Sequence, residues 1–271
     1  MEKITTEDLH RHLLALGTTF HQLCQKHNIP YFMLGGTMLG AVRHKGFIPW
    51  DDDMDFGIPR DHYPRFLQIA QAELKGPLRL LDYHNSEYAV LGFAKLTDTR
   101  TQVNEFFRPR CNEQIGVNID IFPLDYANGR KDFFSFNAHI RRLFKWQKLI
   151  CFEAKNRPWP KRLLGNVART LLLVDRRLPS KIQQSIEKSL VTRRADDSRW
   201  SMFANYLGGW GLKELVAREV FGTPTLYQFE NTQFYGAQHS DAYLKTLYGD
   251  YHQLPPVEKR TPHSYEAYRL E

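Results

Sequence analysis

No run among the 271 residues approaches the roughly 18 to 20 consecutive apolar positions that a membrane-crossing helix needs. The N-terminus, MEKITTEDLHRHLL, also shows no basic stretch followed by an apolar core, so the expected location is the cytoplasm. Cysteine is scarce. Cys24, Cys111 and Cys151 are far apart with no Cys-x-x-Cys pair, which gives no support to a disulfide scaffold, a dithiol redox centre or a cysteine zinc knuckle. Internal repeats and low-complexity segments are absent as well. What remains is an ordinary globular composition, 42% hydrophobic and 25% charged, enough for one large domain or two modest ones around a real core.

A formal charge of +7 would ordinarily point to nucleic acid, but the excess is local. Between Arg141 and Arg177 eleven Lys/Arg accompany only Glu153 and Asp175, a balance of +9, so the rest of the chain sums to −2. Nucleic acid is therefore not the expected partner. Phe133, Phe134, Phe136, Phe144, Trp146 and Leu149 beside Arg141, Arg142, Lys145 and Lys148 suit a surface lying on anionic lipid headgroups.

Leu9, Leu13, Leu16, Phe20 and Leu23 predict an amphipathic helix, with Thr5 and Asp8 as a capping pair. Tyr31 to Leu34 reads as a short strand running into Gly35-Gly36-Thr37, after which Met38 to Arg43 forms a helical turn. The segment Asp53 to Ile58 alternates acidic and apolar residues as a half-buried strand does. Further strands are expected at Leu78 to Tyr83, Tyr88 to Leu96 and Val117 to Phe122. From Arg130 the pattern turns helical and basic, with an irregular stretch from Leu207 to Gly236 and an extended, proline-bearing tail. The fold class is α+β: a mixed sheet with flanking helices, then a mostly helical basic half.

On one strand, Asp53 and Asp55 would point to the same side, and two anions so close call for a cation between them. A hard divalent ion such as Mg²⁺ or Mn²⁺ takes such oxygen ligands; a solvated acidic turn is the alternative. Asp51 shares their parity but adjoins Pro49-Trp50 and is expected on a loop. Gly35 and Gly36 at a strand end allow close approach of backbone to phosphate, and the Thr37 hydroxyl with the N–H groups of the next turn can bind its oxygens. Asp120, between Ile119 and Ile121, is a third acid on a strand with core-facing neighbours, whereas Asp125 reads as an ordinary loop acid.

The runs YFMLGGTMLGAVRHKGFIPWDDDMDFGIPR at 31–60, IDIFPLD at 119–125 and LYGDYHQLPPVEKR at 247–260 are similar to the LicD family, within the nucleotidyltransferase-fold superfamily and related to fukutin-type enzymes. The resemblance implies a nucleotidyltransferase-like catalytic region at 1–128. It is followed at 129–271 by an acceptor- or membrane-facing region whose tail packs back on it. It further implies transfer of phosphocholine from CDP-choline to a lipid-linked glycan, a teichoic acid or lipopolysaccharide precursor, at the inner face of the plasma membrane; transfer of another phospho-alcohol such as ribitol phosphate from a CDP-alcohol, or nucleotidyl transfer to a small molecule, is the alternative. By the same resemblance Gly35, Gly36 and Thr37 form the phosphate-holding turn, and Asp53, Asp55 and Asp120 are the metal-binding and catalytic carboxylates. Arg43 is the preferred side chain for the donor diphosphate, because a guanidinium holds two phosphate oxygens at once. Lys95 alternates with Phe93 toward the same cleft, and Trp50, adjoining the acidic strand, is the preferred aromatic partner for a quaternary ammonium.

Overall fold

The stripe of Leu9, Leu13, Leu16, Phe20 and Leu23 is the buried face of a 21-residue helix, α1 (Thr6–Lys26), preceded by the two-residue β1 (Glu2–Lys3). Thr5 caps it as the sequence predicts, its hydroxyl accepting the Asp8 N–H at 3.1 Å. The computed structural model describes residues 1–86, 92–105, 113–136, 195–260 and 265–270, with scattered positions between 138 and 193. After α1 come β2 (Phe32–Met33), α2 (Gly35–Arg43), β3 (Asp55–Pro59), α3 (Tyr63–Glu73), β4 (Leu78–Leu81), β5 (Ala94–Asp98), β6 (Thr101–Glu105) and β7 (Asn118–Ala127). The C-terminal part adds β8 (Met202–Ala204), β9 (Leu215–Ala217), α4 (Arg218–Phe221), β10 (Thr225–Phe229), β11 (Thr232–Gly236), α5 (Ser240–Tyr248) and β12 (Tyr265–Arg269).

The central sheet runs β2-β3-β7-β5-β4, with β8 added on β7 and β9 on β8. β3 is parallel to β7 and the other pairs are antiparallel, which makes the sheet mixed, as expected. Phe20 of α1 meets Phe56 of β3 with ring centroids 4.7 Å apart, so α1 covers the face that carries Phe56. Alternation then turns Asp55 to the opposite face, and its register partner Asp120 with it. A second contact fixes the approach to the acids: the β10–β11 hairpin carries Glu230 at its tip. Glu230 Oε1 accepts the Phe47 N–H at 2.9 Å, and its own N–H donates to the Lys45 carbonyl at 2.7 Å.

Three expectations are corrected. Asp53 lies before β3, which begins at Asp55, because the chain leaving the Pro49-Trp50 turn joins the ladder only there. Asp125 is no loop acid: it sits buried in β7, with Arg60 Nε at 2.6 Å and Nη2 at 3.1 Å from its two oxygens. Residues 207–236 are not irregular throughout but contain three short strands, β9 paired with β8 and β10 with β11 in a hairpin. The basic stretch from Arg141 to Arg177 lies almost wholly outside the described residues, and with it most of the expected lipid-facing surface, including Phe144, Trp146 and Leu149. Among the described residues no helix is long and apolar enough to cross a membrane.

Candidate active site

The first turn of α2 is packed directly on the acidic segment. Gly35 has φ +48°, in the left-handed region that glycine enters without a Cβ clash, and its N–H donates to the Tyr243 hydroxyl at 3.0 Å. A Cβ on Gly36 would stand 2.6 Å from Asp51 Oδ2, so this glycine makes room for a carboxylate. Thr37 Oγ1 accepts the Asp55 N–H at 2.8 Å and ties the turn to the start of β3. That bond uses the oxygen of the hydroxyl, whose own O–H is still a donor.

Asp55 and Asp120 are direct neighbours across the parallel β3–β7 pair. Burial pushes the Asp55 carboxyl well above the usual carboxylate range, and the charges of Asp53, Asp120 and Asp51 push it further, while Lys95 opposes them. Asp51, Asp52 and Asp53 each offer a carboxylate oxygen, and these oxygens lie within 4.8 Å of one another. Asp51, set aside in the sequence as a loop residue, therefore belongs to the acidic group. His10 holds it there by stacking on Phe47 at 4.1 Å and placing Nε2 2.7 Å from the Asp51 carbonyl. Lys95 joins the group from β5, where its Nζ meets Asp120 Oδ1 at 2.6 Å and Asn118 Oδ1 at 3.0 Å. The donor set is all oxygen, which suits a hard divalent cation and not a soft one.

Trp50 and Arg43 occupy the rim beside this group. The Arg260 guanidinium lies over the Trp50 ring, 5.3 Å from its centroid, in the arrangement by which an aromatic face attracts a cation. Arg43 Nη1 donates to the Tyr251 carbonyl at 2.8 Å, and Arg260 Nε donates to that of Pro255 at 2.9 Å, so the tail is drawn across the end of α2. Tyr248, at the end of α5, has its phenol pushed up by burial and by the charges of Asp55, Asp51 and Asp53. Its ring meets that of Trp210 edge-on at 5.1 Å.

Gly35, Gly36, Thr37, Asp53, Asp55, Asp120 and Lys95 are thus brought together, with Trp50 and Arg43 at the edge. Sequence reasoning singled out neither Tyr243 nor Tyr248 nor Trp210; for Tyr248 the signal was its place in the 247–260 motif. His21 Nδ1 lies 2.6 Å from the Tyr31 hydroxyl, and His27 Nε2, just past the end of α1, lies 2.7 Å from Glu73.

Residues 28–164 match the domain model "LicD/FKTN/FKRP, nucleotidyltransferase domain". The chain is 31% identical, over its full length and that of the relative, to the lipopolysaccharide cholinephosphotransferase LicD of Haemophilus influenzae. A shorter similarity, 31% identity over 37% of this chain and 18% of the relative, links it to the human ribitol 5-phosphate transferase FKRP. With the domain match spanning half of the sequence and the bacterial relative aligning end to end, the chain belongs to the LicD family of transferases.

Proposed function

We propose that this protein transfers phosphocholine from CDP-choline to a hydroxyl of a lipid-linked cell-surface glycan of the lipopolysaccharide or teichoic acid type, releasing CMP. The observation that carries this reading is the end-to-end similarity to a lipopolysaccharide cholinephosphotransferase, in a chain whose Gly35-Gly36 turn packs against the carboxylates of Asp55 and Asp51. A divalent Mg²⁺ or Mn²⁺ would be held by Asp53 and Asp55, flanked by Asp51 and Asp120, and would supply neutralisation of the donor's diphosphate charge. The backbone of the glycine turn and Thr37 position the donor phosphate, while Lys95, beside Asp120, and Arg43, at the end of α2, add positive charge. Asp120, held in orientation by Lys95, accepts the proton of the attacking glycan hydroxyl. Trp50 offers an aromatic face for the quaternary ammonium. Residues 1–128 form the catalytic region in this reading, and residues 129–271 serve the acceptor and an anionic membrane surface at the cytoplasmic side.

The similarity to a ribitol 5-phosphate transferase favours one second reading, transfer of ribitol phosphate from its CDP derivative. Both are tested by incubating the protein with Mg²⁺ and CDP-choline, CDP-ribitol or CDP-glycerol and following CMP release with and without lipopolysaccharide oligosaccharide. CMP from CDP-choline alone is expected, lost in Asp53→Ala and Asp120→Ala proteins that remain folded and lost on chelation. Turnover of CDP-ribitol without CDP-choline would replace the first reading with the second. Full activity in either Asp variant would remove the carboxylate mechanism.

A further inference from the structure

Trp210 stands in the segment Leu207-Gly208-Gly209-Trp210-Gly211 with 48% of its surface exposed. The loop holds it in place. Its backbone N–H donates to Glu214 Oε1 at 2.8 Å, and Lys213, bonded through Nζ to the Leu247 carbonyl at 2.8 Å, lies 5.5 Å from the ring centroid. On the inner side the indole meets Tyr248 edge-on at 76°. The Tyr248 hydroxyl in turn reaches within 3.7 Å of the point where a Gly35 Cβ would stand, and Asp55 Oδ2 lies 3.6 Å from the same point. An exposed indole is therefore one aromatic ring away from the Gly35 turn and the Asp55 carboxylate.

Resting on the phosphocholine-transfer reading, we propose that Trp210 is the platform on which the sugar ring of the acceptor stacks, with Tyr248 as its inner wall. Three chemical classes compete for such a surface, and the surroundings separate them. The quaternary ammonium is assigned in that reading to Trp50, which adjoins the acidic segment, and so leaves Trp210 to another group. A diphosphate belongs on the other aromatic rim: Arg43 and Arg260 lie there, both bonded to carbonyls, and among the described residues neither pairs with a carboxylate. A pyranose is neutral and presents an apolar C–H face that covers an indole without needing a charged partner. It would bring a ring hydroxyl toward Asp120 past the Tyr248 edge.

The test uses the full chain, CDP-choline and a lipopolysaccharide-derived oligosaccharide as the acceptor probe. Trp210→Ala is expected to raise the acceptor KM at least tenfold while the KM for CDP-choline shifts less than threefold, and Trp210→Phe, which keeps an aromatic face, should recover part of the loss. An unchanged acceptor KM overturns the proposal, and so does a larger rise in the CDP-choline KM, which would place the donor on the indole. Calorimetric titration with the oligosaccharide alone needs no turnover and keeps the two readings apart. At least tenfold weaker binding by folded Trp210→Ala supports the platform even when CDP-choline proves to be the wrong donor, and equal binding sinks it.

Discussion

At Gly36 a missing side chain sets the position of one that is present. The 2.6 Å approach between a hypothetical Cβ and Asp51 Oδ2 means that Gly36→Ala must push that carboxylate aside. A carboxylate at the end of a short rotatable side chain gives way cheaply, so the stability loss should be within about 1 kcal/mol. The geometry of the acidic group would nevertheless be spoiled. CMP release should fall at least tenfold while the urea midpoint hardly moves, and an unchanged rate would show that Asp51 has no part in the reaction. Asp55 and Asp120 were legible beforehand because alternation with core-facing neighbours fixes which way a strand residue points. The role of Asp51 was not, since the segment after Pro49 has no periodicity to read. Tyr243 and Tyr248 were hidden for another reason: they approach Gly35 from more than 200 positions along the chain, and no local pattern carries such a contact.

Among the elements, the junction of α2 with α5 decides how firmly the glycine turn is held. The Tyr243 hydroxyl, buried in that junction, is the acceptor for the Gly35 N–H. Tyr243→Phe leaves a buried donor without its partner and should destabilise the protein by about 1–3 kcal/mol, read from urea denaturation. The loosened turn should also lower the transfer rate, and a variant as stable and as active as the parent would show that α5 does not hold the site. A second clasp joins the end of β3 to the far half of β7. Arg60 and Asp125 form a buried, two-pronged ion pair there, and removing one partner strands the other charge. Asp125→Ala should therefore cost about 3–5 kcal/mol in the same measurement. A cost below 1 kcal/mol would mean that Arg60 finds another partner; Glu187, 3.7 Å from its Nη1, is already in range. The long helix α1 was readable because its apolar spacing and its cap agree. β8 to β11 were not, because each is only three to five residues long, too short for a periodicity to show, so pairing with other strands makes them strands.

For the molecule as a whole, the charge separates into a basic segment and a slightly acidic remainder, and the way stability follows pH depends on buried acids in that remainder. Glu214 is the clearest case, because burial raises its carboxyl from 4.5 to about 7 despite hydrogen bonds from Trp210 and Asn205 that favour the ionised form. Between these two values the folded protein binds a proton that the unfolded chain does not, so stability must fall as pH rises through the interval and level off above 7. The size of that fall from this one group is about 3 kcal/mol, at 1.36 kcal/mol for each unit by which the two states differ. Glu214→Gln keeps an oxygen to accept the Trp210 N–H but cannot ionise. The stability difference between the variant and the parent should be small at pH 4.5 and should grow in the variant's favour up to pH 8, by an amount approaching that 3 kcal/mol. Because every other titrating group is common to both proteins, the difference between their urea curves isolates this carboxyl. A gap that stays constant from pH 4.5 to 8 would show that Glu214 ionises normally, held in that case by the loop that presents Trp210.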